Sequence, residues 1–267
     1  MEIIRFIAPD HRTCWGHDLG NNTAALLTGD PFTGLAETGK RAFVERLLPP
    51  VAPRAIFCMG LNYKAHAAEV GMELPPHPAV FMKNPASALG HAAPVLIPKV
   101  CRQRPEVDYE AELAVVIGKG GKNIPVETAL DHVLGYTCAN DVSARRWQKH
   151  AGGGQWVKAK SFDTFCPLGP ALVTADQIPH PQDLSIEFRL NGAVMQSGHT
   201  SDMIFTVAEC ISYLSQDATL LPGSVILTGT PSGVGFTRNP RIFLAPGDTM
   251  EVEIQLVGCL TNGVENA

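Results

Sequence analysis

The sequence lacks paired cysteines and long apolar runs. Its seven cysteines are scattered, odd in number and form no CxxC pair, and its nine histidines include no HxxxH pair. These absences argue against a disulfide framework and a zinc site, and they favour a reducing compartment. No run of about 18 apolar residues occurs, and the N-terminus, MEIIRFIAPDHRTCWG, lacks the basic start and apolar core of a signal peptide. We therefore expect a cytoplasmic protein with no membrane partner.

Charge is scarce as well. Only 18% of the residues are charged, the formal net charge is -5, and no basic run exists that could follow a phosphate backbone. The cations near Arg145 and Arg146 are interpreted as local, so no nucleic acid partner is expected. By contrast, 45% of the 267 residues are hydrophobic, which is enough to bury a sizeable core. The length suits one large domain, or a domain with a small appendage.

Motifs for a covalent nucleophile or a nucleotide are missing. No GxSxG occurs, and the glycine-rich segment GTPSGVG at 229–235 lacks the Lys-Ser/Thr of a P-loop and the spacing of GxGxxG. We expect no nucleotide cofactor. The same segment could still offer backbone N–H groups and the Thr230 hydroxyl to a small anion. The run Gly152–Gly154 is interpreted as a flexible loop.

Short strands dominate the predicted fold. Residues 1–50 are expected to form a small N-terminal β-rich subdomain with one helix at 38–48, ended by Pro49 and Pro50. Residues 51–267 would form the catalytic domain. The class is mainly β with peripheral helices (α+β), built as a sandwich or barrel. Strands are predicted at 55–59, 80–83, 108–118, 132–139, 158–174, 224–228 and 248–258, a hairpin at 185–200 with Asn191-Gly192 at its turn, and helices at 62–69, after Asp141 and at 200–214.

Two carboxylates two residues apart are the strongest chemical signal. In DYEAELAVVIG, a strand would place Glu110 and Glu112 on one face of an otherwise apolar segment. Burying both charges is costly unless a cation compensates them, and a hard divalent metal prefers carboxylate oxygens. Asp141, which ends the next apolar run, could supply a third ligand. The alternative is that Glu110 and Glu112 form salt bridges on an exposed strand.

Other polar residues elsewhere in the sequence are candidates for roles beside these carboxylates. His66 and Glu69 share a helix face, so the carboxylate could orient the imidazole as a general base; the alternative is a surface ion pair. Strand alternation would place Lys160 beside Lys158, either to neutralise an oxyanion or as a solvated edge. Arg145 and Gln148, three apart on a helix, suit a substrate carboxylate, and without a metal nearby they would be surface residues.

Five motifs in order resemble the fumarylacetoacetate hydrolase superfamily over about residues 50–260. They are GLNYKAHAAE, DYEAELAVVIG, GYTCANDVSARRWQ, KAKSFDTFCPLGP and LTGTPSGVG. The resemblance implies a mixed β-sandwich roll and usually a homodimer. It also implies a Mg²⁺ or Mn²⁺ site (Ca²⁺ in some crystals) at Glu110, Glu112 and Asp141.

The resemblance further implies the roles of the remaining residues. His66 and Glu69 would match the water-activating pair and Lys160 the enolate-stabilising lysine. Arg145, Gln148 and Thr230 would match positions near the 2-oxo-acid end of the ligand. The reaction expected first is C–C hydrolysis of an acylpyruvate through a pyruvate enolate. Acyl-group recognition would depend on a lid loop at 71–90.

Several alternatives stay open at this stage. The same site could decarboxylate oxaloacetate, tautomerise its keto and enol forms, or serve another lyase, isomerase or C–C bond former, because fold and site do not choose among them. A non-catalytic module that binds 2-oxo acids is the alternative of a different class. A nucleotide-dependent oxidoreductase would rest on glycine-rich loops alone.

Overall fold

The structure, a computed structural model, describes residues 1–151 and 153–267. Strands make up most of the regular structure, which confirms the predicted mainly β class with peripheral helices. The strands are β1 Glu2–Ile7, β2 Thr13–Asp18, β3 Thr23–Asp30, β4 Gly34–Phe43, β5 Arg46–Leu48, β6 Ala55–Gly60, β7 Ala79–Lys83, β8 Ala88–Leu89, β9 Val95–Ile97, β10 Val107–Asp108, β11 Ala111–Ile117, β12 Val133–Asn140, β13 Ser143–Ala144, β14 Cys166–Thr174, β15 Ser185–Leu190, β16 Ala193–His199, β17 Ser224–Leu227, β18 Thr249–Ile254 and β19 Gly258–Asn266.

Helices are few and short. The α-helices are α1 Lys64–Glu69, α2 Val157–Lys160 and α3 Val207–Ser215, and a π-helix covers Trp147–Ala151. The 3₁₀ helices are Pro85–Ser87, Lys99–Cys101, Val126–His132, Ala175–Gln177, Thr200–Asp202 and Gly235–Thr237. In the part of the chain that the structure describes, no helix has the length and apolar character needed to span a membrane.

The largest sheet has the order β4-β3-β2-β1-β14-β12-β11-β17-β6-β7. Strand β11 lies between β12 and β17, and all seven of its residues are buried. Leu113 and Val115 belong to one apolar cluster, whereas Ala114 and Val116 belong to another. Burial on both faces explains why this strand is almost continuously apolar. A carboxylate side chain on β11 is therefore buried and shielded from bulk solvent by the neighbouring residues.

A second sheet, in the order β16-β15-β18-β19-β9, packs against the first. In β15 and β18 buried residues alternate with more exposed ones, as expected for strands with one face on the core. The side chains of Phe188 and Val252 enter the same cluster as Leu113. The predicted hairpin with Asn191-Gly192 at its turn is confirmed by the antiparallel pairing of β15 with β16. Two packed sheets are the layered β architecture that the sequence predicts.

The predicted helix at 38–48 is wrong, because this segment forms β4 and β5. Strand β4 pairs with β3 along its length and lies at the edge of the largest sheet. Its charged residues resemble a polar helix in composition, but charge is also typical of an exposed edge strand, where it discourages pairing with other chains. Strand β1 joins the same sheet through β14. The domain boundary after residue 50 stays a prediction.

One other helix boundary and one strand boundary differ from expectation. The helix expected at 200–214 is limited to α3, which begins after a capping box between Thr206 and Glu209. The residues just before it are held by Asn62, whose Oδ1 atom accepts from Phe205 N at 2.8 Å and whose carbonyl accepts from Ile204 N at 2.8 Å. The expected strand start at 158–160 is also wrong, because these residues lie in α2. The predicted loop 152–154 lies partly outside the described residues.

Candidate active site

Glu110, Glu112 and Asp141 come together at one buried point. One carboxylate oxygen of each lies within 4.8 Å of those of the other two. Glu110 precedes β11, Glu112 lies in it, and Asp141 follows its neighbour β12. The Asp141 N–H donates to the Glu110 carbonyl at 2.8 Å, so strand pairing itself fixes the third carboxylate beside the first. The alternative of an exposed strand with surface salt bridges is wrong.

Buried cations surround two of these three carboxylates. Lys160 Nζ lies 2.9 Å from Glu110 Oε2 and 2.6 Å from Asp141 Oδ2, and it also donates to Ser143 Oγ. Arg145 Nη1 lies 2.6 Å from Glu110 Oε1. Burial alone would raise the pKa of Glu110, but the charges of Lys160 and Arg145 lower that pKa to about 2. Glu110 is therefore a carboxylate over the working range of pH.

Glu112 lies in a different electrostatic environment from Glu110 and Asp141. Its Oε2 atom accepts from Gly229 N at 2.6 Å, and within residues 1–151 and 153–267 no cationic side chain pairs with it. Burial, and then the charges of Asp141 and Glu110, raise its pKa well above the ordinary value. A divalent cation would supply the missing positive charge, and three carboxylates are a donor set that hard cations prefer. The residues present therefore fit a divalent metal.

His66 and Glu69 form a contact on α1. The His66 Nδ1 atom lies 2.8 Å from Glu69 Oε2. The other Glu69 oxygen, Oε1, accepts from Gly233 N and from the Thr237 hydroxyl, both at 2.8 Å. Burial alone would raise the pKa of Glu69, and the hydrogen bonds from His66, Thr237 and Gly233 bring it below the ordinary value. Glu69 is thus a fixed anion that orients the imidazole, and the charge of His66 reaches Glu110, whose pKa it helps to lower.

The glycine-rich segment 229–235 contributes to the site through its backbone. Besides the bonds to Glu112 and Glu69, the N–H groups of Gly235 and Phe236 donate to Asp108 at 2.8 and 3.0 Å. The sequence suggested that these donors would bind a small anion, whereas in the structure they bind three carboxylates of the protein itself. Asp108, which sequence analysis missed, also accepts from Arg145 Nε at 2.8 Å.

Replacing Gly235 by alanine is expected to destabilise the protein by about 3 kcal/mol, a typical cost for a steric clash in a packed region. A Cβ atom there would overlap the Ile242 carbonyl and lie 2.5 Å from Asp108 Oδ1. Urea unfolding measures the change. Gly263→Ala is the matched control, because the nearest atom to its Cβ is Asp248 O at 4.0 Å. Equal stability of the two variants would contradict this packing.

Of the residues predicted to bind substrate, Arg145 contacts Glu110 directly, whereas Gln148 is joined to the site through Arg145 and Thr230 through Gln196, which accepts from Ala111 N. The Gln148 side-chain oxygen accepts from Arg145 Nη1 at 3.1 Å. The Thr230 hydroxyl is buried and accepts from Gln196 Nε2 at 2.7 Å. Lys158 does not accompany Lys160, because in α2 its ammonium group lies over the Phe162 ring. The substrate-binding roles of Arg145, Gln148 and Thr230 stay predictions.

Lys83, at the end of β7, is a second residue that sequence analysis missed. Its side chain is fully buried and pairs with Asp141 Oδ1. We expect Lys83→Met to cost about 3 kcal/mol in unfolding free energy, because breaking a buried pair leaves a charge without its partner. Chemical denaturation measures the loss, with Lys119→Met, at an exposed position beyond β11, as the control. Unchanged stability would show that Lys160 alone satisfies Asp141.

Comparisons with known proteins agree with this arrangement. The family model described as fumarylacetoacetate (FAA) hydrolase C-terminal matches residues 55–265. Oxaloacetate tautomerase fahd2, mitochondrial, of Xenopus laevis is 48% identical over 224 residues, which are 84% of this chain and 69% of that protein. Oxaloacetate tautomerase FAHD2A, mitochondrial, of Homo sapiens is 47% identical over 224 residues, with 84% and 70% covered. Those names place the two relatives in mitochondria, so the cytoplasmic location expected here stays a prediction.

Solved structures give the same result for the fold. A fumarylacetoacetate hydrolase from psychrophilic Exiguobacterium antarcticum has a TM-score of 0.87 at 33% identity over the whole of both chains. A 2-hydroxyhepta-2,4-diene-1,7-dioate isomerase from Mycobacterium marinum has a TM-score of 0.84 at 37% identity, covering 100% of this chain and 98% of that one. Hydrolase and isomerase thus share this fold, so the fold alone does not select the reaction.

Proposed function

Because this chain belongs to the fumarylacetoacetate hydrolase family, we propose that it is an oxaloacetate keto–enol tautomerase. The observation that carries the proposal is that buried Lys160 contacts both Glu110 and Asp141, while His66 is buried and held by Glu69. The similarity to oxaloacetate tautomerases favours this reaction over the acylpyruvate hydrolysis that the sequence analysis put first. Location and the expected homodimer remain predictions.

Glu110, Glu112 and Asp141 would hold Mg²⁺ or Mn²⁺. When bound, such a cation supplies a Lewis acid that polarises the 2-oxo group of the substrate. The protein residues around the cation would hold its carboxylate ligands in place. Asp141 is fixed by Lys83 and Lys160, and Glu110 is fixed by Lys160 and Arg145. These fixed ligands let the substrate be bound in one orientation, which is a large part of the catalytic advantage of a preorganised site.

Tautomerisation moves one proton between carbon and oxygen of the substrate. In the direction from enol to keto, the O–H bond at C2 is lost, a C–H bond forms at C3, and the C2–O bond becomes a carbonyl. His66 is assigned to accept the proton that leaves the C2 oxygen and to deliver it to C3, because Glu69 fixes its Nδ1 side and leaves the other ring nitrogen for the substrate. The fixed Glu69 carboxylate also stabilises the imidazolium form.

Lys160 is assigned to the oxygen end of the reaction. Burial would lower its pKa, but the charges of Asp141 and Glu110 raise it above the ordinary value, so the side chain stays an ammonium group. A protonated lysine is a poor base and a good stabiliser of negative charge on the substrate oxygen. One fixed cation and one oriented imidazole are sufficient for tautomerisation. Hydrolysis requires in addition a water molecule held against the distal carbonyl.

The test compares three reactions of the wild-type protein in Mg²⁺ or Mn²⁺ and again with chelator. Loss of the enol absorbance of oxaloacetate measures tautomerisation, and pyruvate release measures decarboxylation of oxaloacetate and hydrolysis of acetylpyruvate. We expect chelator-sensitive enol loss that is faster than any pyruvate release. Pyruvate formed from acetylpyruvate at the higher rate would establish the hydrolase instead, and release from oxaloacetate as the main reaction would establish the decarboxylase.

A further inference from the structure

A cavity of about 240 Å³ beside the active site has arginine or lysine at five of its ten lining residues. Arg104, Lys149 and Arg241 line it and are solvent-exposed, and none of their side chains forms a hydrogen bond or salt bridge within the described ranges 1–151 and 153–267. Phe236 forms part of the wall, and the Lys149 ammonium group lies 4.4 Å from its ring centroid. The one acidic residue among the lining residues, Glu106, is already paired with Arg146. The cavity therefore has an excess of positive charge that the protein does not neutralise.

Arg145 joins this cavity to the carboxylate cluster. Arg145 binds Glu110 through Nη1 and Asp108 through Nε, and it is also one of the residues that line the cavity. Its Nη2 atom is buried and has no hydrogen-bond partner among the described residues, and the group stacks 4.4 Å from the Phe236 ring centroid. Arg145 thus contacts the carboxylate cluster and also lines the cavity.

Positive charges crowd one another here. The pKa of Lys149 is lowered, first by burial and then by the charges of Arg145 and Arg241. Cations that repel one another in a small cavity gain most from an anion that contacts them together. Phe236 and Phe243, which are partly buried, add apolar wall to the cavity beside such an anion. A compact carboxylate fits this environment better than a large apolar group.

We propose that this cavity, through Lys149 and Arg241 beside Arg145, binds the second carboxylate of a dicarboxylic 2-oxo acid. The inference rests on the proposed function for the end of the substrate that carries the 2-oxo group. The cavity would explain why the protein prefers a dianionic substrate to an acylpyruvate, whose distal group is uncharged. Lys149 and Arg241 are then specificity residues that do not touch the reacting atoms.

The test uses a pair of stable ligands that differ only at the distal group. Malate carries a carboxylate where 2-hydroxybutanoate carries a methyl group, and neither undergoes the tautomerisation. Calorimetric titration in Mg²⁺ should show malate binding at least about tenfold more tightly to the wild type, the size expected for one charge-assisted contact. Lys149→Gln and Arg241→Gln should each weaken malate about tenfold and leave 2-hydroxybutanoate within about twofold.

Lys119→Gln is the control, because it removes the same charge at an exposed position beyond the far end of β11 from Glu110. It should leave the preference for malate intact. A wild type without that preference, or equal losses for both ligands in the two variants, would overturn the assignment of the cavity. The binding measurement needs no turnover. A wild type that prefers malate but fails to tautomerise oxaloacetate would therefore reject the proposed reaction and retain the carboxylate site.

Discussion

Glu112→Gln is expected to raise the melting temperature of the metal-free protein and to abolish its stabilisation by Mg²⁺. Glu112 is buried against two other carboxylates and accepts one backbone hydrogen bond, from Gly229. An amide of the same shape keeps an acceptor for that bond and removes the repulsion. We expect a gain of about 1–2 kcal/mol, or roughly 3–6 °C for a chain of this size.

Glu110→Gln should change stability in the opposite direction. Glu110 has two buried cationic partners, Lys160 at 2.9 Å and Arg145 at 2.6 Å. Removing the charge of Glu110 takes one anionic partner from Lys160 and one from Arg145. We expect the free energy of unfolding to fall by about 3 kcal/mol, which is typical of breaking a buried ion pair. The two substitutions are chemically identical and lie two residues apart, so each controls the other.

Thermal unfolding with chelator and with Mg²⁺ separates the two contributions. Either variant should lose metal affinity by more than the roughly 10- to 100-fold that changes in the outer shell of a metal site cost, and turnover with it. Equal destabilisation of both metal-free variants would mean that Glu112 is not repelled by its neighbours. An undiminished response of Glu112→Gln to Mg²⁺ would remove Glu112 from the metal site.

Local periodicity was sufficient to predict the centre of this site. Glu110 and Glu112 converge because strand geometry repeats every two residues, and His66 meets Glu69 because helix geometry brings residues three apart together. The same two-residue spacing also reaches back to Asp108, so a signal for that carboxylate was present in DYEAE. The spacing could not predict which residues bind the Asp108 carboxylate.

The partners that were missed depend on contacts between distant parts of the chain. Asp108 receives its N–H donor from Gly235, 127 residues later, and Lys83 reaches Asp141 across 58 residues. Edge strand β4 was mistaken for a helix for the same reason, since its identity depends on pairing with β3 and on exposure. Propensity and periodicity describe neighbours in sequence, whereas these features are set by which strands pair.

His66→Gln is expected to lower kcat for oxaloacetate tautomerisation by about 10²- to 10⁴-fold, the usual contribution of a positioned acid–base group. His66 is nine-tenths buried and held by Glu69, so few other groups could take over its proton. Mg²⁺ affinity should stay near that of the wild type, because the imidazole is not one of the three clustered carboxylates. Enol absorbance measures turnover, and calorimetry measures metal binding.

His180→Gln is the matched control, because His180 is an exposed histidine in the connection between β14 and β15. It should leave kcat within about twofold, the range typical of surface changes. Decarboxylation of oxaloacetate at the metal needs no proton carried to C3 before carbon dioxide leaves, so any such reaction should survive in His66→Gln. Parallel loss of decarboxylation and tautomerisation would therefore assign His66 to substrate binding, whereas selective loss of tautomerisation assigns it to the proton transfer that distinguishes this reaction from the others available to the fold.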